Sequence, residues 1–214
     1  MIGVALLSGG LDSGVAAACF ARQDGDRLDA ALFCDYGQRA ARREFDRAAA
    51  LARRLQVPLH RYELPWLAEL ARRSGSRLLA GTGDLPAATA AAPGDPASAR
   101  AVWVPARNAV FVAIAAALAE ASGADAVVAG FNREEAATFP DNSAGFLDAA
   151  TGMLAFGTRA GVRVVSPTLG WDKPRIVAEA RALGFTADDF WSCYDGGEAP
   201  CGRCESCVRS RFTR

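Results

Sequence analysis

Short apolar runs alternate along this chain with longer segments rich in alanine, leucine and arginine. The runs have strand length and lie at 4–7, 30–34, 59–63, 126–130 and 162–165. Between them, apolar residues recur three and four positions apart, which predicts helices at 14–22, 39–55, 107–122, 144–155 and 173–183. Strands that alternate with helices form parallel sheets. The pattern therefore predicts an α/β fold: a parallel five-stranded sheet with helices on both faces.

Composition and charge narrow the class of protein. With 214 residues, 51% of them hydrophobic, residues 1–214 can fold as a single domain. Acidic and basic residues balance at 24 each, so no broad basic surface for nucleic acid is expected. No apolar run approaches the roughly 20 residues of a membrane span, and no basic leader precedes the first strand. We expect a cytoplasmic protein without a membrane or nucleic-acid partner.

Residues 81–100 interrupt the alternation of strands and helices. Alanine, glycine, proline, threonine and aspartate dominate there, with no hydrophobic period. A segment of this length within a compact domain is either an active-site lid or a disordered insertion. We predict a mobile loop and leave both alternatives open.

The turn after the first strand has the composition of a phosphate-binding loop. Ser8-Gly9-Gly10-Leu11-Asp12-Ser13 separates a buried strand from an alanine-rich helix. The glycines allow close backbone approach, the two hydroxyls can donate to oxygen, and the helix N-terminus favours an anion. Asp12 would repel phosphate unless a cation lay between them, which predicts a Mg²⁺ ligand. The alternative is a glycine-rich turn in which Asp12 or Ser13 caps the helix.

Polar residues also follow other strands of the predicted sheet. Asp35 and Asn132 come directly after apolar runs, as Ser8 does. Ligands bind beyond the carboxyl ends of the strands in open parallel sheets. The three segments are therefore expected to converge on one cleft.

Four of the six cysteines form a C-x7-C-x2-C-x2-C cluster, at Cys193, Cys201, Cys204 and Cys207. Four thiolates complete the tetrahedral shell of a structural Zn²⁺ ion and leave no open position for water. We therefore predict a zinc-binding C-terminal element at 191–210, with an iron–sulfur cluster as the alternative.

The loop 8–13 resembles the pyrophosphate loop of the ATP pyrophosphatases, which split ATP into AMP and pyrophosphate. Within that superfamily, five further segments are similar, in order and spacing, to the 7-cyano-7-deazaguanine synthase family. They are Asp-Tyr-Gly-Gln-Arg at 35–39, Val-Pro-Ala-Arg-Asn at 104–108, Phe-Pro-Asp at 139–141, Trp-Asp-Lys at 171–173, and the stretch from 192 through the last cysteine. The resemblance runs from about residue 4 to about residue 210, and that family usually has glycine where this chain has Ala106.

The resemblance implies an adenine nucleotide alpha hydrolase-like (Rossmann-like) fold with a four-cysteine zinc knuckle. It also implies a carbon–nitrogen ligase of queuosine-type deazapurine biosynthesis. Such an enzyme uses ATP, Mg²⁺ and ammonia to convert 7-carboxy-7-deazaguanine through an acyl-adenylate and an amide to the nitrile, releasing AMP and pyrophosphate. Its partner is this small-molecule substrate, and a homodimer is compatible with the resemblance.

The resemblance also assigns roles to individual residues. Catalysis would involve Ser8, Asp12, Ser13, Arg107 and Lys173. ATP would contact Leu7, Ser8, Gly9, Gly10, Leu11, Asp12, Ser13, Asp35, Tyr36 and Gln38. The deazaguanine substrate would contact Arg107, Asn108, Glu135 and Asp141. Several of these residues also fit structural roles: Arg107 and Lys173 as solvated charges, the residues at 35–38 as ordinary loop residues, and Glu135 and Asp141 as helix caps.

Two other functions stay open at this stage. The stretch 136–142 departs from the pattern of the family, which leaves open another adenylating enzyme that forms an amide or thiolates a base on a different substrate. A zinc-bearing binding module with a vestigial nucleotide loop is the third reading. Intact Ser8, Asp12 and Ser13 argue against that last reading.

Overall fold

The computed structural model describes residues 1–87 and 96–209. Its centre is one five-stranded sheet, and each pair of neighbouring strands is parallel. The strand order is β3-β2-β1-β4-β5. Strands β2 and β3 are therefore added outward on one side of β1, and β4 and β5 are added on its other side. The strands are β1 (Ile2–Leu6), β2 (Arg27–Asp35), β3 (Leu59–Glu63), β4 (Ala126–Val128) and β5 (Arg163–Val165). The predicted parallel five-stranded sheet is confirmed.

The strand boundaries differ from the prediction for identifiable reasons. β2 begins three residues early because Arg27 and Leu28 pair with Ile2 and Gly3 of β1. β4 ends at Val128, two residues before the predicted end. The chain there passes so close to the loop after β1 that a Cβ atom on Gly130 would lie 2.5 Å from the backbone nitrogen of Ser13.

Nine α-helices are described in residues 1–87 and 96–209. The five predicted helices are present: the one at 107–122 has the predicted bounds, and the other four are shifted at one or both ends. They are α1 (Leu11–Ala21), α2 (Ala41–Arg54), α5 (Arg107–Ser122), α7 (Ala144–Gly157) and α8 (Lys173–Ala182). The remaining four are α3 (Pro65–Arg73), α4 (Pro96–Ala101), α6 (Arg133–Ala136) and α9 (Glu205–Arg209).

The helices cover both faces of the sheet, as predicted. One core contains buried residues of α1, α2 and α8, among them Val15, Leu51 and Ile176. The core on the other face contains buried residues of α3, α5 and α7. Because both faces are buried at the middle of the sheet, β1 and β4 are apolar throughout rather than at alternate positions, whereas the edge strand β3 is largely polar and exposed.

The prediction of an irregular loop at 81–100 needs a correction at its C-terminal part. Residues 96–100 belong to helix α4, because Pro96 suits the start of a helix and alanines follow it. Residues 81–87 have no regular structure apart from a bridge between Ala87 and Cys204, and the Arg39 and Arg77 side chains donate to the carbonyls of Gly83 and Thr82. Residues 88–95 of the predicted loop lie outside the described residues.

A membrane span would need a long apolar helix. None of the helices within 1–87 and 96–209 combines the length and the hydropathy that such a span requires.

Candidate active site at the carboxyl edge of the sheet

A cavity of about 300 Å³ opens at the carboxyl ends of β1, β2 and β4. Most of the predicted ligand-binding residues line it. They are Leu7, Ser8, Gly10, Leu11, Asp12, Ser13, Tyr36, Gln38, Arg107, Asn108, Glu135 and Lys173. The structure therefore brings together segments from along most of the chain, as expected for side chains that follow parallel strands.

Close packing shapes the loop between β1 and α1. Gly9 has a φ of +76°, and a Cβ atom at this position would overlap the backbone carbonyl of Glu44 in α2. The backbone carbonyl of Gly9 accepts a hydrogen bond of 2.9 Å from the backbone N–H of Trp191. The first glycine is therefore required by the turn and by its neighbours, whereas the sequence had suggested approach to a ligand.

The hydroxyls of the loop are bonded to one another. Ser8 Oγ lies 3.0 Å from Ser13 Oγ, and the Ser13 hydroxyl also donates to the carbonyl of Gly10 at 3.1 Å. The backbone N–H of Ser8 donates to Ser13 Oγ at 3.2 Å. These bonds hold the loop open around the N-terminus of α1, where the helix dipole favours an anion.

Asp12 and Lys173 form an ion pair at the edge of the loop. Lys173 Nζ lies 2.8 and 2.7 Å from the two carboxylate oxygens of Asp12 and 4.0 Å from Glu135 Oε1. Lys173 begins helix α8, whose cap is Asp172, while Asp12 lies in the first turn of α1. The ammonium group of Lys173 thus places a positive charge beside the loop.

Arg107 starts helix α5 from a strained residue. Ala106, which precedes it, has a φ of +53°, a left-handed conformation that favours glycine. Arg107 makes a side-chain hydrogen bond with Tyr36, whose hydroxyl pKa is raised by burial and partly lowered again by that guanidinium. Tyr194 and Asp141 lie near enough to interact electrostatically with Arg107. The guanidinium is therefore held in the wall of the cavity and is not a solvated charge.

Two carboxylates predicted to bind ligands do not line the cavity. Asp35 is bound by Arg61 at 2.6 Å and accepts from the N–H of Gly37 at 2.9 Å, so it closes a turn after β2. Asp141 is buried beside Arg107 and accepts from the amide of Asn142 at 3.2 Å. Burial raises the pKa of Asp141, while Arg107 lowers it. Both groups support the wall from behind, and Asn142 lines the cavity where Asp141 was expected.

Several residues of the cavity wall were not among the predicted site residues. The aromatic ones are Phe33, Phe111, Phe131, Phe139, Trp191 and Tyr194. Phe139 stacks on Trp103 with ring centroids 6.2 Å apart. The acidic one is Glu44, which lies in the first turn of α2 beside the loop, and the neutral polar ones are Asn142, Ser192 and Ser206. The sequence signal for Glu44 was an acidic residue near the start of a helix that comes shortly after the end of a strand.

The four clustered cysteines form one compact group, as predicted. Their Sγ atoms all lie within 4.8 Å of one another, and those of Cys201 and Cys207 are 4.0 Å apart. A tetrahedral shell with metal–sulfur bonds of about 2.3 Å places neighbouring sulfurs about 3.8 Å apart. Hydrogen bonds from the Cys204 thiol and from the amides of Cys201 and Asp195 lower the pKa of Cys193. The group could therefore hold a metal ion.

Comparisons with known proteins agree with these features. The family model described as "Queuosine biosynthesis protein QueC" matches residues 2–212. The 7-cyano-7-deazaguanine synthase of Pelotomaculum thermopropionicum is 47% identical, over 98% of this chain and 94% of that protein. The enzyme of the same name from Methanothermobacter thermautotrophicus is 44% identical, over 99% and 93%. Among solved structures, the U34-tRNA thiolase NcsA from Methanococcus maripaludis with its [4Fe-4S] cluster has a TM-score of 0.51 at 14% identity, over 86% of this chain and 56% of that one. That last likeness concerns the fold.

Proposed function

Because the chain belongs to the family of the queuosine biosynthesis protein QueC, we propose that it is an ATP-dependent ligase that converts 7-carboxy-7-deazaguanine and ammonia to 7-cyano-7-deazaguanine. The observation that supports this most directly is a single cavity. Its walls combine a loop suited to phosphate, the Arg107 guanidinium and several aromatic side chains on which a purine-like base could stack.

The chemistry requires two activations of oxygen. A carboxylate oxygen does not leave at neutral pH, so the substrate carboxylate first attacks the α-phosphorus of ATP and forms an acyl-adenylate. Ammonia displaces AMP and gives the amide. The amide oxygen is then adenylated in turn, and loss of a second AMP gives the nitrile. Pyrophosphate departs in both activations.

The loop 8–13 is suited to hold the pyrophosphate that departs. Its backbone N–H groups and the Ser8 and Ser13 hydroxyls are already positioned around the N-terminus of α1. Groups fixed in advance stabilise developing charge without reorganising during the reaction. Tyr36 and Gln38, at the end of β2, would contact the adenosine side of ATP.

Lys173 and Asp12 would share the work on the phosphates. Lys173 supplies a positive charge beside the α-phosphate, and Asp12 fixes its position through two short contacts. The single carboxylate of Asp12 also fits a Mg²⁺ ion, because Mg²⁺ is often held by one or two carboxylates plus substrate phosphates. Such an ion would neutralise phosphate charge. It would share Asp12 with Lys173, since each carboxylate oxygen has more than one lone pair.

Recognition of the base would depend on residues across the cavity from the loop. The Glu135 carboxylate can accept hydrogen bonds from the N–H groups of a guanine-like edge. Arg107 and Asn108 lie at the N-terminus of α5, where Arg107 would bind the substrate carboxylate. Asp141 would act by holding Arg107 in place, since it lies behind the wall.

For the cysteine cluster we propose a single structural Zn²⁺ ion held by Cys193, Cys201, Cys204 and Cys207. The 4.0 Å distance between two of the sulfurs supports one central ion. A four-iron cluster would need its thiolates arranged around a much larger body. The ion would fix the stretch that carries Trp191, Ser192, Tyr194 and Ser206 to the cavity.

The remaining sequence predictions belong to the same proposal. A cytoplasmic location, a single domain over 1–214, and a lid or disordered insertion in the part of 81–100 that precedes helix α4 are compatible with a biosynthetic enzyme that acts on a small molecule. So are a homodimer and the lack of a nucleic-acid partner. Each stays a prediction.

The test is a mass-spectrometric assay with 7-carboxy-7-deazaguanine, ATP and ammonium. We expect a product that has lost its two carboxylate oxygens and gained one nitrogen, with AMP and pyrophosphate formed together. Release of ADP and phosphate would contradict adenylation. Conversion of another carboxylate or base, with this substrate untouched, would identify a different adenylating enzyme.

A further inference from the structure

Glu44 is a carboxylic acid in the cavity wall that none of the roles above uses. It lies in the first turn of α2, and its backbone carbonyl packs against Gly9 of the phosphate loop. Its side chain lines the same cavity as Ser8, Gly10 and Arg107. The group is therefore placed beside the loop on the side of the cavity formed by the end of β2.

The hydrogen-bond partner of Glu44 is neutral and rigidly held. Gln38 Nε2 donates to Glu44 Oε2 at 2.9 Å. Gln38 Oε1 in turn accepts from the backbone N–H of Tyr36 at 3.0 Å, and its Nε2 also lies 3.4 Å from the carbonyl of Cys34. These contacts fix which end of the Gln38 amide faces the carboxyl group. Glu44 thus has a defined position without being neutralised by a bound cation.

The proposed reaction has to remove protons from nitrogen. When ammonia displaces AMP, the attacking nitrogen carries a surplus proton that must leave to give the amide. In the second stage, adenylation of the amide oxygen releases another N–H proton and gives an O-adenylated imidate. In the last step the remaining N–H bond breaks and its electron pair becomes the second C–N π bond. The C–O bond breaks with its pair onto AMP.

Other candidate bases in the described part of the chain are less suited to this work. The sole histidine, His60, lies on β3 and is not among the residues that line the cavity. Asp12 is paired with Lys173, and Glu135 lies 4.0 Å from the same ammonium group. A carboxylate beside a lysine is a weaker base, because the cation stabilises its ionised form.

We propose that Glu44 is the general base of this enzyme, accepting the N–H protons in amide formation, in formation of the O-adenylated imidate and in the elimination that forms the nitrile. This role rests on the proposed function. Each transfer breaks an N–H bond and forms an O–H bond on Glu44, which returns the proton to solvent between steps.

The electrostatic surroundings agree with this role. Burial raises the pKa of Glu44 to about 7, while the hydrogen bond from Gln38 and the charge of Arg107 limit the rise and Asp35 adds to it. Tyr36 and Cys34, which line the same side of the cavity, are both kept neutral by burial, which raises the pKa of each. A general base is most effective when its pKa lies near the working pH.

Glu44→Gln is the test, because the amide keeps an oxygen that can accept from Gln38. Adenylation is measured separately, as exchange of labelled pyrophosphate into ATP that depends on the carboxylate substrate and needs no ammonia. Nitrile formation is measured from the amide intermediate and ATP. We expect exchange within about twofold of wild type and nitrile formation slowed about 100-fold. Glu69→Gln, on the exposed side of α3, is the matched control and should change neither rate.

The pH profile gives a readout that a structural role would not move. With the amide as substrate, the wild-type rate should rise about tenfold per pH unit below pH 7 and level off above it, because the base must be ionised. The Glu44→Gln variant should lose this limb, and Glu44→Asp should restore it at a lower rate.

Two other outcomes overturn the role. A parallel fall of exchange and nitrile formation in Glu44→Gln would show that the residue serves ATP binding, and unchanged nitrile formation would show that it is not the base. If the wild-type protein itself shows no exchange with 7-carboxy-7-deazaguanine, the proposed function fails and the role fails with it. The wild-type measurement therefore separates the two failures.

Discussion

The phosphate loop and the cysteine element lie next to each other but are stabilised in different ways. The loop is fixed by packing: Gly9 abuts the backbone of α2, Gly130 abuts the backbone of Ser13, and two hydroxyls bond to each other. In the stretch 193–207, by contrast, the described helix is a short one and four sulfurs face a common centre.

Rigidity in the site therefore has two sources. The loop is in place before any ligand arrives, because atoms of the protein fill the space around it. The cysteine element brings four thiols together at a distance that suits a metal ion, and its few buried residues form a small core of Ala40, Trp191, Cys193 and Cys204. We therefore expect the phosphate loop to be sensitive to added side-chain volume and the cysteine element to depend on a bound metal ion.

The largest effect is expected from Cys204→Ser. Structural zinc sites contribute on the order of 10 kcal/mol of binding free energy, so loss of one thiolate should remove the ion and unfold the element. Metal content by mass spectrometry should fall to zero and the melting temperature should drop. Cys19→Ser, on α1 outside the cluster, is the control and should keep the metal. A stable metal-free Cys204→Ser protein with full activity would contradict the comparison.

Asp12→Asn should affect the other region alone. Without the carboxylate, Lys173 loses the group that holds it, and the proposed Mg²⁺ ion loses its protein ligand. Pyrophosphate release should fall by about 10³-fold. Metal content of the cysteine cluster and the melting temperature should stay near wild type. Asp46→Asn, on the exposed side of α2, serves as the control; normal turnover by Asp12→Asn would remove the role given to Asp12.

Gly9→Ala should destabilise the fold by about 2 to 5 kcal/mol. The left-handed backbone costs about 1–2 kcal/mol, and overlap with the α2 backbone adds about 1–3 kcal/mol. Gly161→Ala isolates the first contribution, because Gly161 has a φ of +64° with open space around it. Urea unfolding of both variants measures the difference. Equal losses would show that packing does not hold the loop.

Ala106→Gly is the smallest change and should have the opposite sign. Glycine adopts the φ of +53° without strain, so we expect a gain of a few tenths to about 1 kcal/mol in unfolding free energy. Ala109→Gly, at an exposed position of the same helix, should instead cost about 0.5–1 kcal/mol. Urea unfolding curves measure both changes. A midpoint for Ala106→Gly below that of the wild type would contradict the prediction.

Most of the fold could be predicted because its signals are local. Both the apolar runs and the helical periodicity lie within single elements, and the parallel sheet follows from their alternation. The segment Pro65–Arg73 was missed although Pro65 starts it and Leu67, Ala68 and Ala71 share its buried face. Strand ends were less predictable, because pairing with a neighbour extends β2 and the close approach of Gly130 ends β4.

The candidate site was predictable as a set of segments but not as a geometry. Asp35 and Asp141 follow the sequence pattern of binding residues, yet neither lines the cavity. Asp35 is bound by Arg61, and Asp141 interacts electrostatically with Arg107. The pairing of Asp12 with Lys173 joins residues 161 positions apart, which no local pattern encodes. Glu44 was overlooked for the same reason, since its place beside Gly9 depends on how α2 packs.

The hydrogen bond from the backbone N–H of Trp191 to the carbonyl of Gly9 has a consequence for folding during synthesis. Gly9 and Trp191 are 182 positions apart in the chain, so this contact cannot form until the long stretch between them has been synthesised. Until then the cavity lacks the wall residues Trp191, Ser192, Tyr194 and Ser206. A chain that ends before Trp191 would lack this part of the wall, and an activated acyl group would be exposed to water on that side.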